Sequence, residues 1–483
     1  MQTSAKKTTS IFDHTIQLAR PFLPIIPEVK TPLRQLAMND KLVWTLLAIL
    51  IYAVASQIPL FGMVNTQSKD PLEWLRIMMA SNRGTLMDIG IGPVITASMF
   101  MNLLTTTGFV VVDHSIAEDR ILFDCLQKLF GIAVTVIQAV VQIQTGFYGP
   151  PQNIPQSFKI IIFIQLLCSG LIIILLDELL QKGYGYGNGV NLFIVFNVCE
   201  KLAWSAFSPR VFYTGRGMEF EGCFVSLVYA IFARRNKFHA IYEIFFRENL
   251  PNLSQFCFTM AIFAFVIYIQ QIKVNIKVYS LKAKGINEFY PIPLLYTSTT
   301  PTILQGQMCT HFCSISRLLY NKFPANMIVK LLGVWEMKYK KGLVPVSGIS
   351  YYITSPQSIS DALSSPFQFV AYLLITFTIA ALMSKNWNDN QGDTPEKVLQ
   401  KFKNKSIQIK GIRESNTLDK LREYIPIASV LSGLITSFVI VFCDITSTIG
   451  SGTNMFLAAS IINQYAKIVS MEAASMSGKI YLE

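Results

Sequence analysis

Apolar runs set the rhythm of this chain. Stretches of spanning length fall near residues 42–61, 86–107, 123–145, 158–180, 189–208, 255–272, 291–320, 363–384, 424–443 and 449–471. A membrane-spanning helix needs about 20 mostly apolar residues, so the pattern predicts ten spans, with the second and seventh the least hydrophobic. An eleventh apolar run near 220–233 is too short to cross and reads as buried or interfacial.

Polar interruptions within the runs carry more information than the runs. Residues 81–108 alternate bulky Ile91, Ile95 and Met99 with Gly90, Gly92, Thr96 and Ser98. In hydrocarbon such a composition belongs to a helix that packs closely and lines something. Just before it lies a short segment opening Asp70-Pro71, an N-cap acceptor followed by proline at the first helical position. Trp74, Leu75, Met78 and Met79 give this segment an apolar face. It fits either an interfacial helix or a plug sealing a pore. The seventh span is the most polar, from Thr297 to Ser314 and including Gln305, Gln307 and His311. These groups need partners, so the span faces an aqueous path or other helices. Asp177-Glu178, at the end of the fourth span, reads as a solvated helix end rather than a proton relay. The glycine-rich stretch 183–189 lacks the ending of a phosphate-binding loop and follows a membrane helix, so it reads as a flexible joint.

Composition fixes the class. Of 483 residues, 52% are hydrophobic and 14% charged, with a mean hydropathy of +0.42; a soluble domain carries about 25% charge. The chain is a polytopic membrane protein with no cleavable signal peptide visible and no separate soluble domain. The eight cysteines form no CxxC pair and read as buried small hydrophobes. His311, two residues from both Cys309 and Cys313, points to a different helix face, and no metal or cofactor is expected. The net charge of +12 has two readings, basic cytoplasmic loops under the positive-inside rule or a nucleic-acid surface. A basic N-terminus placed in the cytoplasm puts loops 273–290 and 385–423 there as well. Within them Lys282, Lys284, Lys410 and Arg413 are the best candidates for a basic docking surface, with topogenic charge as the plainer reading.

Ten spans divide as five plus five, and an odd number per half inverts one half against the other. The fold class expected is therefore all-α, ten transmembrane helices in two pseudo-symmetric inverted halves. Three functions compete. A passive conduit fits the pore-grade second span. A small-solute carrier would need a midplane binding site, but the acids lie at helix ends. A membrane-embedded enzyme would need GxSxG, HExxH or a mid-span acid pair, and none is present.

Several stretches identify a family. QIPLFGM (57–63), ASNRGTLM (80–87), LLDELLQKGYG (175–185), YTGRGMEFEG (213–222), ENLPNL (248–253) and DITSTIGSGT (444–453) resemble the SecY family, most of all the α subunits of the eukaryotic Sec translocon. The resemblance runs from about residue 15 to 471. It implies an N-terminal half at 1–208, a lumenal hinge loop at 209–254 and a C-terminal half at 255–483. It also implies a pore constricted by Ile91, Ile95, Val190, Ile194, Ile303 and Leu457, and a plug helix at 68–81. A lateral gate would carry Thr96, Gln138, Gln305 and His311. The implied setting is the endoplasmic reticulum membrane with both termini cytoplasmic. The implied partners are single-span β and γ subunits, the ribosome with its RNA, nascent polypeptides and signal sequences, membrane lipid, and accessory factors for post-translational or lumenal steps. Two departures stand out. Lysines occupy loop positions where relatives often carry arginines, and lysine lacks the bidentate fork. His311 replaces an uncharged amide, which would make opening pH-sensitive.

Overall fold

The computed structural model describes residues 20–22, 24, 26–34, 36–63, 79–106, 117–144, 148, 155–214, 217–233, 237–245, 247, 250–280, 287–295, 300–338, 342–356, 359–391, 395–405, 407–409, 414–446, 448–449 and 452–476. Its first five long helices are α1 (Met38–Gln57), α2 (Gly92–Thr106), α3 (Ala117–Gln144), α4 (Gln156–Leu179) and α5 (Gly189–Phe207). A hairpin, β1 (Val211–Thr214) and β2 (Gly217–Phe220), then leads to the short helices α6 (Cys223–Ala233) and α7 (Lys237–Phe245). Helix α8 (Leu253–Gln271) runs into strands β3 (Lys273–Ser280) and β4 (Asn287–Pro293), followed by α9 (Thr300–Lys322). Next come α10 (Met327–Leu332), β5 (Val334–Lys338), β6 (Gly342–Ser347), α11 (Ile349–Ile353) and α12 (Ile359–Ser364). The chain closes with α13 (Pro366–Gln391), α14 (Pro395–Lys405), β7 (Ile407–Ile409), α15 (Glu414–Ile445) and α16 (Gly452–Met476).

Ten of these helices fall on the ten predicted runs. Among the described residues, eight are long and apolar enough to cross a membrane, the second when counted from Leu86 to Thr105. The other two, α9 and α16, have 23 and 25 residues and so the length, but are too polar. The second span passes this test and the tenth does not, which corrects the expected order. The first ten residues of α16, 452–461, are all buried, Thr453, Asn454 and Ser460 among them, so these polar side chains meet protein and not lipid. The seventh run also shortens. Its first residues, Pro291 to Pro293, pair with Asn275 to Lys273 in the β3–β4 ladder, so the helix starts only at Thr300.

Large apolar side chains cover much of the exposed surface of the long helices. Helix α1 buries Thr45, Ala48, Tyr52 and Ser56, spaced along one face, and exposes Leu46, Leu50 and Val54. Such a surface suits a lipid solvent. It also corrects the reading of the cysteines, since Cys168, Cys199 and Cys257 are exposed. Strands are confined to the connections. β3 is central in a sheet of order β4-β3-β7, and two separate hairpins pair β1 with β2 and β5 with β6.

The chain forms two compact units, the first holding residues 1–67, 79–193 and 472–483 and the second 68–78 and 194–471, so α5 is divided between Phe193 and Ile194 and α16 between Met471 and Glu472. In the first, Leu60, Ile89, Ala139, Ile162 and Leu166 form a core. Helix α4 approaches α3 through Gly170, where an added Cβ would lie 2.5 Å from the Thr135 methyl. In the second, Ile262 and Val266 of α8, Val439, Ile440 and Cys443 of α15, and Phe456 and Ala459 of α16 form a core. Here α15 approaches α13 through Gly433, where a Cβ would lie 2.6 Å from Ser384 Oγ. Close approach through small residues is the usual way helices associate in lipid.

Candidate pore and its anchoring contacts

In the first unit, Ile91 and Ile95 stand at the start of α2, 0% and 6% exposed. What holds them is a knot of backbone contacts. The Ile91 amide donates to the Met79 carbonyl at 2.9 Å. Tyr52 of α1 donates its hydroxyl to the Ala80 carbonyl at 2.7 Å. Leu60 and Leu86 bond to Gly84 and Ile58 in a short antiparallel bridge. The Ser81 hydroxyl donates to the Asp88 carbonyl, and Asp88 accepts from the Gly84 amide. Three residues turn the chain in the left-handed region, Ala80 at φ 48°, Gly84 at φ 71° and Gly90 at φ 62°. At Gly90 a Cβ would lie 2.2 Å from the Met79 carbonyl oxygen, so only glycine fits. The segment ASNRGTLMDIG is thus an anchor that ties Met79 to Ile91. Of the plug candidates, Trp74, Leu75 and Met78 lie outside the described residues, while Met79 is buried.

Val190, in the first turn of α5, is also buried. Its amide is shared by the side-chain oxygens of Asn188 and Asp177, each at 3.2 Å. Here the structure overturns one reading. Asp177 and Glu178 are 5% and 8% exposed, so they are no solvated helix end. Glu178 pairs with Lys128 at 2.6 Å and Lys182 at 2.8 Å, and Gln181 donates to Asp177 at 2.8 Å. The glycine-rich stretch begins inside a π-helical turn, Leu180–Tyr184, with Gly183 left-handed, and the Asp177 carboxyl spans it to reach the Val190 amide. Burial of the acids follows from the partners available to them, which charge and position alone do not reveal.

In the second unit, Ile194 on α5, Ile303 on α9 and Leu457 on α16 are 0%, 3% and 0% exposed. All six residues assigned to the ring are therefore buried, three in each unit. Of the gate candidates, Thr96 donates its hydroxyl to the Gly92 carbonyl at 2.7 Å. Gln138 keeps a buried side-chain oxygen without a hydrogen-bond partner. That oxygen lies 3.7 Å from where a Cβ of Gly92 would be. Gln305 lines a cavity of about 50 Å³ with Thr302, Cys309, Tyr372, Thr376 and Asp444. His311 is half-buried on α9.

The basic candidates Lys282, Lys284, Lys410 and Arg413 lie outside the described residues. Their flanks are informative. The loop at 273–290 is the β3–β4 hairpin, and β7 from the other loop pairs with β3, Ile407 opposite Ser280 and Ile409 opposite Val278. One sheet joins both loops, packed on Val398, Phe402, Leu421 and Ile425. The alternation of Val274, Ile276 and Val278 with polar residues along β3 was the local signal of a strand, whereas β7, with three residues, is too short to show one.

Sequence reasoning also passed over Asp444. Its two oxygens accept from the Gly452 amide at 2.9 Å and the Tyr372 hydroxyl at 3.2 Å. The available signal was an acid ending one apolar run shortly before a glycine opening the next, as at Asp177 and Gly189.

Comparison with known proteins agrees with this architecture. A family model described as SecY matches residues 85–466, and one described as the plug domain of Sec61p matches residues 50–84. Protein transport protein Sec61 subunit alpha of Dictyostelium discoideum is 41% identical over 466 residues, covering 96% of this chain and 98% of that protein. A solved protein-conducting channel superposes with a TM-score of 0.76 at 26% identity, covering 96% of this chain and 99% of that one. Sec61 in the canine ribosome-channel complex from the endoplasmic reticulum gives a TM-score of 0.74 at 25% identity, with the same coverage. Matched over nearly its whole length in sequence and in fold, the chain belongs to the SecY family of protein-conducting channel subunits.

Proposed function

We propose that this chain is the pore-forming subunit of a channel in the endoplasmic reticulum membrane that passes secretory polypeptides across the bilayer and releases apolar segments sideways into it. The observation that carries this reading is the full-length similarity to Sec61 alpha subunits, together with the match of residues 50–84 to a plug domain. In this reading Ile91, Ile95, Val190, Ile194, Ile303 and Leu457 form an apolar constriction. Such a ring resists wetting by water and ions and yields to an arbitrary passing chain. The segment 68–81 is its plug, and the tie between Met79 and Ile91 sets the plug's fixed end. Thr96, Gln138, Gln305 and His311 line the lateral gate. Segments passing it partition into lipid at roughly −0.3 to −0.6 kcal/mol per Leu, Ile, Val or Phe near the helix centre. The chain is a conduit and not a catalyst, and energy comes from chain elongation or an external motor. The ribosome docks on Lys282, Lys284, Lys410 and Arg413, and single-span β and γ subunits complete the complex. Both termini are cytoplasmic.

The test is photocrosslinking in reconstituted vesicles with ribosomes carrying a stalled secretory chain. A photoreactive residue at Ile95 should capture the nascent chain, whereas one at Leu50, which is 60% exposed on α1, should not. Ribosome binding without capture at Ile95 would remove the pore assignment and leave a docking receptor.

A further inference from the structure

Asp177 and Asp444 are not among the docking, plug or gate residues named above, and the structure uses them alike. Each ends one long helix and accepts a hydrogen bond from the first turn of the next. Asp177 Oδ1 accepts from the Val190 amide at 3.2 Å, and Asp444 Oδ1 accepts from the Gly452 amide at 2.9 Å. A carboxylate there opposes the positive end of the helix dipole. The second oxygen of each is held from within the same unit, by Gln181 at 2.8 Å and by Tyr372 at 3.2 Å. Both following helices open on glycine, and neither tolerates a Cβ. At Gly189 it would lie 2.8 Å from Asp177 Cα and Oδ1. At Gly452 it would lie 2.3 Å from the Ile440 carbonyl oxygen and 2.5 Å from Cys443 Cβ. The helix carrying each acid is seated on its predecessor through a glycine against a hydroxyl side chain, Gly170 on Thr135 and Gly433 on Ser384. The runs α3–α4–α5 and α13–α15–α16 therefore share one design.

The spacing gives this likeness its consequence. Counting the opening glycine as the first residue, Ile194 is the sixth residue of α5 and Leu457 the sixth of α16. We infer that Asp177 and Asp444 are equivalent positioning residues of an internal repeat, each pinning the start of a helix so that its sixth side chain stands at a set height and rotation in the constriction. A slip of one residue moves such a side chain about 1.5 Å along the axis and turns it about 100°. The seal thus depends on two acids that never touch the passing chain. This inference rests on the reading of Ile194 and Leu457 as ring residues.

The experiment uses the full chain reconstituted in proteoliposomes with its small partner subunits. It compares Asp177→Ala and Asp444→Ala with Asp177→Asn, Asp444→Asn and Gly452→Ala. Ion conductance of the idle channel is measured, along with translocation of one substrate bearing a strong signal sequence and one bearing a weak one. Both alanine variants should raise idle conductance several-fold and raise the weak-to-strong translocation ratio. Asparagine keeps the acceptor oxygen and should restore both values towards wild type. A merely structural role would lower yield and both substrates together and leave ratio and conductance per channel unchanged. That result, or asparagine as leaky as alanine, overturns the inference. Should the alanine variants fail to assemble, Gly452→Ala decides, since it displaces the helix start with both acids intact. Raised conductance then supports the inference, and wild-type conductance overturns it. A wild-type channel that moves neither substrate would instead overturn the proposed function itself.

Discussion

Gly90 and Gly183 both sit at positive φ, 62° and 95°, but in different surroundings. A Cβ at Gly90 would meet the Met79 and Ala80 carbonyl oxygens at 2.2 and 2.8 Å, while one at Gly183 meets nothing within 4 Å. Gly183→Ala should cost only the left-handed strain, about 1 kcal/mol. Gly90→Ala adds a clash with backbone and should cost clearly more than about 1 kcal/mol. Thermal unfolding of the two purified variants in detergent checks the order. Glu28 offers a pH prediction. A hydrogen bond from Lys182 at 2.7 Å holds its carboxyl below the ordinary 4.5 despite partial burial. The folded value is depressed, so the contribution is present above pH 4.5 and lost as pH falls through the depressed value. The stability difference between wild type and Glu28→Gln should be constant above pH 4.5 and shrink towards zero below it, small throughout because Glu28 is half exposed. Denaturant unfolding from pH 3 to 7 reads this directly, and a difference that grows on acidification would contradict it.

Helices here are joined by what they lack. α15 carries Ser429, Ser432, Gly433, Thr436 and Ser437, and the hydroxyls of Ser429, Thr436 and Ser437 bond back to their own helix. That leaves a smooth face for α13. Gly433→Val should force the two helices apart at Ser384 and Ala380 and cost about 1–3 kcal/mol by overpacking. Leu434→Ala, at a residue 37% exposed, should stay within about 0.5 kcal/mol. Chemical denaturation of both variants separates helix seating from a general intolerance of substitution in α15. The connecting elements follow a different logic. The β4-β3-β7 sheet draws strands from two loops more than a hundred residues apart, and its register depends on pairs such as Tyr279 with Gln408. No local pattern in either loop announces that pairing.

At the scale of the whole molecule, the arrangement of spans in the membrane can be tested by sugar attachment. Asn404-Lys405-Ser406 and Asn252-Leu253-Ser254 both match the acceptor pattern. Asn404 is exposed on α14, so it is available wherever the loop lies in the lumen. With 385–423 in the cytoplasm it should remain bare after synthesis into microsomes, and a glycan there would invert the topology. Docking has a whole-molecule signature too. Replacing Lys282 and Lys284 by alanine should weaken ribosome binding and flatten its dependence on log salt by about 1–2. An unchanged slope would leave those lysines only a topogenic role.

The sequence alone determined the class, the ten apolar runs and the family, because these depend on quantities summed along the chain: hydropathy over about 20 residues, loop charge, and short strings in a fixed order. It also placed the six ring candidates at positions that prove buried. Tertiary structure alone decided where the acids go. Asp177 and Glu178 are adjacent at the end of an apolar run, and in sequence they are indistinguishable from a solvated terminus. Only folding brings the Val190 amide to one and Lys128 and Lys182 to the other. The same holds for Asp444 and for the shared sheet of the two basic loops. Hydropathy is additive along the chain. The partner of a buried polar group is a property of distance in space, and it appears only once the chain is folded.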